Sequence, residues 1–282
     1  MPPEKILFAT DLSCRCDRAL DRAAELAREW KARLVVCHAL EAPPPVTDAP
    51  SWRRPLEPKE VVRQRIYADL SEPGMVDVEV IVERGEPATL VLDTAARLGC
   101  ELIVTGVARD ETLGRALLGT TVENVVRRSK VPVLVVKARA RRPYRDVMVA
   151  SDFSEGSRKA LVTALAMYPT ARLSVFHAFQ VLCEGFVDDK MSARSSAEQQ
   201  ARHDGRAFLA DTPVPAVQHV PLLCEYGTPV ALLGELMQTG RVDLVVAGTR
   251  GRGRVAELLL GSVAQQLLAD VPGDVMVVPE GR

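Results

Sequence analysis

Ile6-Leu-Phe-Ala-Thr-Asp11-Leu-Ser13 and Val147-Met-Val-Ala-Ser-Asp152-Phe-Ser154 carry one pattern twice: an apolar run, a hydroxyl residue, an aspartate and, two places on, a serine. The aspartates stand 141 positions apart, half of the chain's 282 residues. Outward from them the correspondence holds. Val36-Cys-His38-Ala39 answers Val175-Phe-His177-Ala178, Gly85-Glu-Pro87 answers Gly227-Thr-Pro229, and Glu101-Leu-Ile-Val-Thr-Gly106 answers Asp243-Leu-Val-Val-Ala-Gly248. Near the ends, Val131-Pro-Val-Leu-Val-Val136 answers Val271-Pro-Gly-Asp-Val-Met-Val-Val278, with two extra residues in the second copy. Landmarks that keep their order and spacing mark an internal repeat. The chain reads as two tandem domains, 1–140 and 144–282, joined by a short Lys/Arg-rich stretch containing Pro143.

Within each copy, short runs rich in Val, Ile and Leu alternate with segments of helical period. The runs at 5–10, 33–39, 76–82, 101–105 and 133–137 read as strands covered on both faces, as do those at 146–151, 171–178, 216–223, 243–247 and 275–278. Residues 14–29 place Ala19, Leu20, Ala23, Ala24, Leu26 and Ala27 on one helical face, and 89–98 and 119–129 read as further helices. This alternation predicts an α/β fold: two tandem Rossmann-like domains, each an open five-stranded parallel sheet with helices on both faces. The Pro-rich stretch 42–58 and its shorter counterpart 181–190, with Asp188 and Asp189, read as surface loops.

Lys and Arg total 36 against 37 Asp and Glu, a net charge of −1, which argues against a general nucleic-acid binder. Hydrophobic residues at 47% and charged residues at 26% are a globular balance, far from a disordered one. There is no apolar run of the ~18 residues a membrane span needs, and the N-terminus lacks a signal peptide's apolar core. Six scattered cysteines fit reduced thiols better than a disulfide framework. A cytoplasmic protein is the expectation.

The segment richest in chemistry is Gly248-Thr-Arg250-Gly251-Arg-Gly253-Arg-Val-Ala-Glu-Leu-Leu-Leu-Gly261-Ser262-Val263, or Gly-x2-Gly-x9-Gly-Ser. It follows a strand and opens a helix. Glycines let backbone N–H groups approach an anion, and a helix N-terminus adds unpaired donors. Ser262 is also a good N-cap, so capping alone is the plainer reading. Arg250, Arg252 and Arg254 can neutralise phosphate, although at least one belongs to a solvated loop. Asp152 ends the first strand of the same copy. If strands one and four are neighbours, it faces the same crevice, where a carboxylate can accept hydrogen bonds from a base amine or a ribose hydroxyl. Its plainer reading is to cap the following helix, in competition with Ser154.

With these residues the chain resembles a tandem universal stress protein over essentially its whole length, with the adenine nucleotide alpha hydrolase-like fold of that family. The resemblance implies a stress-response function with ATP as the ligand, Mg²⁺ being held only through the phosphates. By motif position it assigns the adenine to Asp152 and Ala178. It assigns the ribose and phosphates to Ala247, Gly248, Arg250, Gly251, Gly261, Ser262 and Val263. It also implies association through the last strand, 133–137 against 275–278, as an intramolecular pseudo-dimer; whether a homodimer follows is open.

The first copy departs from the motif. Arg109 stands where the second glycine belongs, followed by Asp110 and Glu111, while Asp11, Gly106, Gly119 and Thr120 remain. A non-glycine residue resists positive φ and carboxylates repel a triphosphate, so this copy reads as degenerate, binding ATP weakly or not at all; the alternative is that Arg109 itself supplies a phosphate contact. No residue is an obvious general base for water, so turnover is at most slow. The alternatives are an interaction scaffold with a vestigial loop, or a slow ATPase. Cys14-x-Cys16 lacks metal-site spacing and reads as a pair of inert loop thiols. His38 and His177 read as packed or hydrogen-bonded histidines near the crevice, and Met148 and Met167 as core.

Overall fold

The computed structural model describes residues 1–14, 16–40, 58–70, 76–109, 116–117, 119–181, 189–249 and 260–280. The first copy carries β1 (Lys5–Ala9), α1 (Asp17–Trp30), β2 (Arg33–Leu40), α2 (Pro58–Asp69), β3 (Val78–Arg84), α3 (Pro87–Leu98) and β4 (Leu102–Gly106). A two-residue ribbon follows, β5 (Ala108–Arg109) with β6 (Ala116–Leu117), then α4 (Thr120–Arg128) and β7 (Val133–Val136). The second copy carries β8 (Asp146–Ala150), α5 (Glu155–Met167), β9 (Arg172–Phe179), α6 (Lys190–Ala210), β10 (Leu222–Tyr226), α7 (Pro229–Gln238), β11 (Leu244–Gly248), α8 (Ser262–Asp270) and β12 (Asp274–Val278).

Among the described residues, ten strands form one continuous sheet in the order β10-β9-β8-β11-β12-β7-β4-β1-β2-β3. Neighbours within each copy run parallel. The seam between the copies is antiparallel, with Val275 opposite Val135, Met276 opposite Leu134 and Val277 opposite Val133. The pairing covers two strand edges that would otherwise expose unpaired amides.

The strands are apolar on both faces because helices cover both. Ile6, Phe8, Val147 and Val149 join one buried layer with Ala19, Ala23, Leu26, Ile66, Leu161 and Phe208 of α1, α2, α5 and α6. Leu7, Ile103 and Val245 point the other way, into a layer with Val91, Val125, Leu233 and Leu267 of α3, α4, α7 and α8. Met148 and Met167 are buried. Among the described residues no helix is long and apolar enough to cross a membrane.

Three expectations need correction. The strand assigned to 216–223 lies at Leu222–Tyr226, because Pro215 opens a 3-10 turn, Pro215–His219, and the ladder starts only after Pro221. The first helix begins at Asp17 instead of residue 14, because the chain makes a separate turn there, with Cys16 N bonded to Ser13 O. Of the two long loops, 42–57 and 182–188 lie outside the described residues; Pro58 already belongs to α2, and Asp189 caps α6 by accepting from Ser192 N at 3.0 Å.

The two extra residues of the second copy, Gly273 and Asp274, fall at the seam. Asp274 is fully buried, and its Oδ1 accepts from Lys137 N and Ala138 N at 2.8 Å each. Its Oδ2 accepts from Tyr144 OH at 2.5 Å, with Arg22 Nε 3.7 Å away. The Arg22 guanidinium lies 4.0 Å over the Tyr144 ring, pairs with Glu25, and donates to Arg142 O at 2.9 Å. Lys137 Nζ donates to Leu267 O and Val271 O, at 3.1 and 2.8 Å, at the C-terminal end of α8. Burial pushes the Lys137 ammonium down to about 8, against the pull of Asp274 and Asp270.

Candidate functional site

β8 has β11 on one side and β9 on the other, with Ala150 opposite Ala247 and opposite Phe176. The connections therefore diverge at β8, and the crevice beyond its carboxyl end is where open α/β sheets take ligands. Asp152 stands two residues past β8, Ala178 lies at the end of β9, and Ala247 and Gly248 close β11. Gly261 N donates to Thr249 O at 2.8 Å, tying the start of α8 to the end of β11. Gly261, Ser262 and Val263 thus come to the same end of the sheet as Asp152. Arg250 and Gly251, with Arg252, Gly253 and Arg254, lie outside the described residues.

Gly248 is held to its residue type by its surroundings. A Cβ there would meet Gly156 O at 2.7 Å, so the end of β11 rests on the first turn of α5. Ser262 is not the cap of α8. Gly261 holds the extended N-cap position, without a side-chain cap bond, and Ser262 is the first helical residue. A side-chain cap acts from the non-helical position, which a glycine fills here. The opening amides of α8 therefore carry no side-chain cap among the described residues, and Ser262 and Val263 are exposed.

The turn after β8 is tightly organised. Ser154 N donates to Asp152 Oδ1 at 3.1 Å, and Ser157 Oγ donates to the same oxygen at 2.7 Å. The cap of α5 is Ser154, whose hydroxyl accepts from Ser157 N at 3.3 Å, so Asp152 is not the cap. Phe153 adopts φ 62°, a left-handed conformation that costs a bulky residue of order 1–3 kcal/mol. Its amide donates to Ser151 Oγ at 3.0 Å, and its ring stacks on His177 at 4.3 Å between centroids.

The first copy repeats this turn. Leu12 has φ 60° and donates to Thr10 Oγ1 at 2.9 Å, and Ser13 N donates to Asp11 Oδ1 at 2.8 Å. The Cys16 thiol donates to the same carboxylate oxygen at 3.1 Å, and burial pushes it up to about 11, so it is an unreactive thiol that holds a partner. Burial pushes the Asp11 carboxyl up, but the hydrogen bonds from Ser13 and Cys16 outweigh it and hold the group below its usual range. The two histidines are also matched: His38 Nδ1 lies 2.9 Å from Thr10 O and His177 Nδ1 2.8 Å from Ser151 O. A carbonyl only accepts, so Nδ1 carries the proton in both.

The loops after the fourth strands differ. In the first copy Ala108 and Arg109 pair antiparallel with Leu117 and Ala116, so the chain that holds Arg109 bonds to itself. Asp110 and Glu111 lie outside the described residues. Motif reading passed over Ser157, Gly156 and the left-handed Leu12 and Phe153. Ser157 and Cys16, each five places past the repeated aspartate, were visible in the alignment of the copies.

The profile of the universal stress protein family matches residues 3–137 and again residues 143–279. The chain belongs to the universal stress protein family. A universal stress protein of Mycolicibacterium smegmatis is 27% identical over 299 aligned residues, covering 97% of this chain and 96% of that protein. The universal stress protein in the QAH/OAS sulfhydrylase 3' region of Thermus aquaticus is 30% identical over 141 residues, covering 48% of this chain and 98% of its own. Among solved structures, a functionally unknown protein from Pseudomonas aeruginosa PAO1 superposes with TM-score 0.69 at 21% identity, over 98% of this chain and 92% of its own. That likeness bears on the universal stress protein fold alone.

Proposed function

We propose that this universal stress protein binds ATP in its C-terminal domain, residues 144–282, as a regulatory stress-response signal in the cytoplasm. The observation that carries the reading is the adjacency of β8 and β11, which sets Asp152 and the opening of α8 at one end of the sheet. The residues present fit the nucleotide. Gly248 lets the end of β11 close onto the first turn of α5, which sets the floor of the crevice, and the uncapped amides of Ser262 and Val263 suit phosphate oxygens. Arg250 and Gly251 extend the phosphate contacts, with Mg²⁺ carried by the phosphates. Asp152 accepts from the adenine amine, with Ala178 beside the base and Ala247, whose side chain is buried, beside the ribose. The N-terminal domain, residues 1–140, takes ATP weakly or not at all, since Arg109 replaces the second glycine and its loop pairs with itself there. The two domains act as a pseudo-dimer through the β7–β12 seam, and binding rather than turnover is the output.

Equilibrium binding of labelled ATP to the full chain and to Gly251→Glu tests the reading. Saturable binding by the wild type, lost in the variant, is the expected result. No measurable binding by the wild type overturns it and leaves the scaffold function. ATP turnover abolished by Asp152→Ala would replace it with an enzymatic one.

A further inference from the structure

Ser157 Oγ lies between two groups of Asp152. The Asp152 amide donates to it at 3.2 Å, so the hydroxyl accepts there and its single proton is left for Asp152 Oδ1 at 2.7 Å. The side chain is locked, because Ser157 is 4% exposed and its own amide is held by Ser154 Oγ. With Ser154 N, it gives the carboxylate oxygen two donors and one orientation at the crevice.

The first copy separates this contact from helix capping. Cys16 stands where Ser157 stands, five places past its aspartate, and makes the same contact at 3.1 Å. Yet α5 starts at Glu155 with Ser157 inside it, whereas α1 starts at Asp17, after Cys16. The helix start has moved by three residues and the bond to the aspartate has stayed. It belongs to the carboxylate, not to the helix end. Burial pushes the Cys16 thiol up to about 11, which keeps it a protonated donor at neutral pH, though S–H is a weaker donor than O–H.

We infer that Ser157 is a positioning residue that sets the nucleobase selectivity of the C-terminal crevice, by aiming the Asp152 carboxylate at an exocyclic amine; the inference rests on the ATP reading above. An ionised carboxylate only accepts, so it favours a purine with an amino group at that edge and opposes one with a carbonyl. Held in one orientation it discriminates between the two; let loose, it can turn away from the carbonyl.

ATP and inosine triphosphate differ at that edge and share the sugar and phosphates, so their competition for the full chain is the test. The wild type is expected to prefer ATP. Ser157→Ala lowers the ATP preference about tenfold, the worth of a hydrogen bond or so, while inosine triphosphate binds within about twofold of wild type. Ser157→Cys, the side chain the first copy uses, recovers part of the preference. An unchanged ratio in Ser157→Ala, or equal loss of both ligands with no recovery in Ser157→Cys, overturns the role. A wild type that binds neither nucleotide removes the ATP reading itself. A wild type that prefers ATP, with variants that keep the preference, removes only the role of Ser157.

Discussion

Tyr144 donates its phenolic proton to Asp274 Oδ2 at 2.5 Å, and both side chains are buried where the two domains meet. Tyr144 comes from the segment that joins the domains, and Asp274 from the two residues that only the second copy contains. Arg22 reaches the same carboxylate from α1 of the first domain. The joint therefore draws on side chains of both copies and on the insertion of the second, and its main anchor is one buried acid.

Asp274→Ala should destabilise the chain by about 3–5 kcal/mol, since it leaves the Tyr144 hydroxyl and two amides without their buried acceptor and takes a nearby counter-charge from Arg22. Tyr144→Phe removes one hydrogen bond and should cost about 1–3 kcal/mol. Denaturant unfolding measures both. A loss below about 1 kcal/mol for Asp274→Ala would show that the network does not hold the joint.

Lys137 makes stability depend on alkaline pH. Its folded value of about 8 lies below the ordinary 10.5, because burial disfavours the charge. Between the two values the unfolded chain holds a proton that the folded chain lacks, so the Lys137 contribution to stability rises with pH across that window. Relative to Lys137→Met, the wild type should gain on the order of 2–3 kcal/mol from about pH 7.5 to about pH 10.5. The thiols of Cys16, Cys37 and Cys100, pushed up to about 11 by burial, act in the opposite sense in both proteins and cancel in the difference. A difference that stays flat with pH refutes the assignment.

Gly248→Ala should cost about 1–3 kcal/mol and lower the melting temperature, since the new methyl meets Gly156 backbone at 2.7 Å and neither side can rotate away. Gly205→Ala is the control. Its methyl meets the two Cδ atoms of Leu222 at 2.5 and 3.1 Å and Phe153 Cζ at 3.0 Å, ends of side chains that can shift, and alanine favours the helix, so its loss should be the smaller of the two. Equal losses in the two variants would contradict the close approach of β11 to α5.

Alkylation of the native chain at neutral pH should modify exposed Cys14 first and leave buried Cys37 and Cys100 untouched until unfolding. Peptide mass analysis over time reads the order. Cys16 should lag Cys14 and accelerate in Asp11→Ala, which removes its carboxylate partner.

The strand pattern was legible because strands covered on both faces are apolar throughout, and the duplicated aspartate turn fixed the period of the repeat. The third strand of the second copy was misplaced because residues 216–223 are as apolar as a strand; only the Pro221 break and the distance to Gly227 separate turn from ladder. Ser262 looked like a cap by residue type, whereas the backbone puts Gly261 in that position. The insertion at Gly273-Asp274 was visible as a gap. Its use was not, since Arg22, Lys137 and Tyr144 lie more than a hundred residues away along the chain.

The antiparallel seam between β7 and β12 has a geometric consequence. Strands of the two halves point in opposite directions, so the mouth beyond Asp11 and the mouth beyond Asp152 open at opposite poles of the molecule. A molecule docked beyond Asp152 and one docked beyond Asp11 would therefore approach from opposite sides, with the ten-stranded sheet between them.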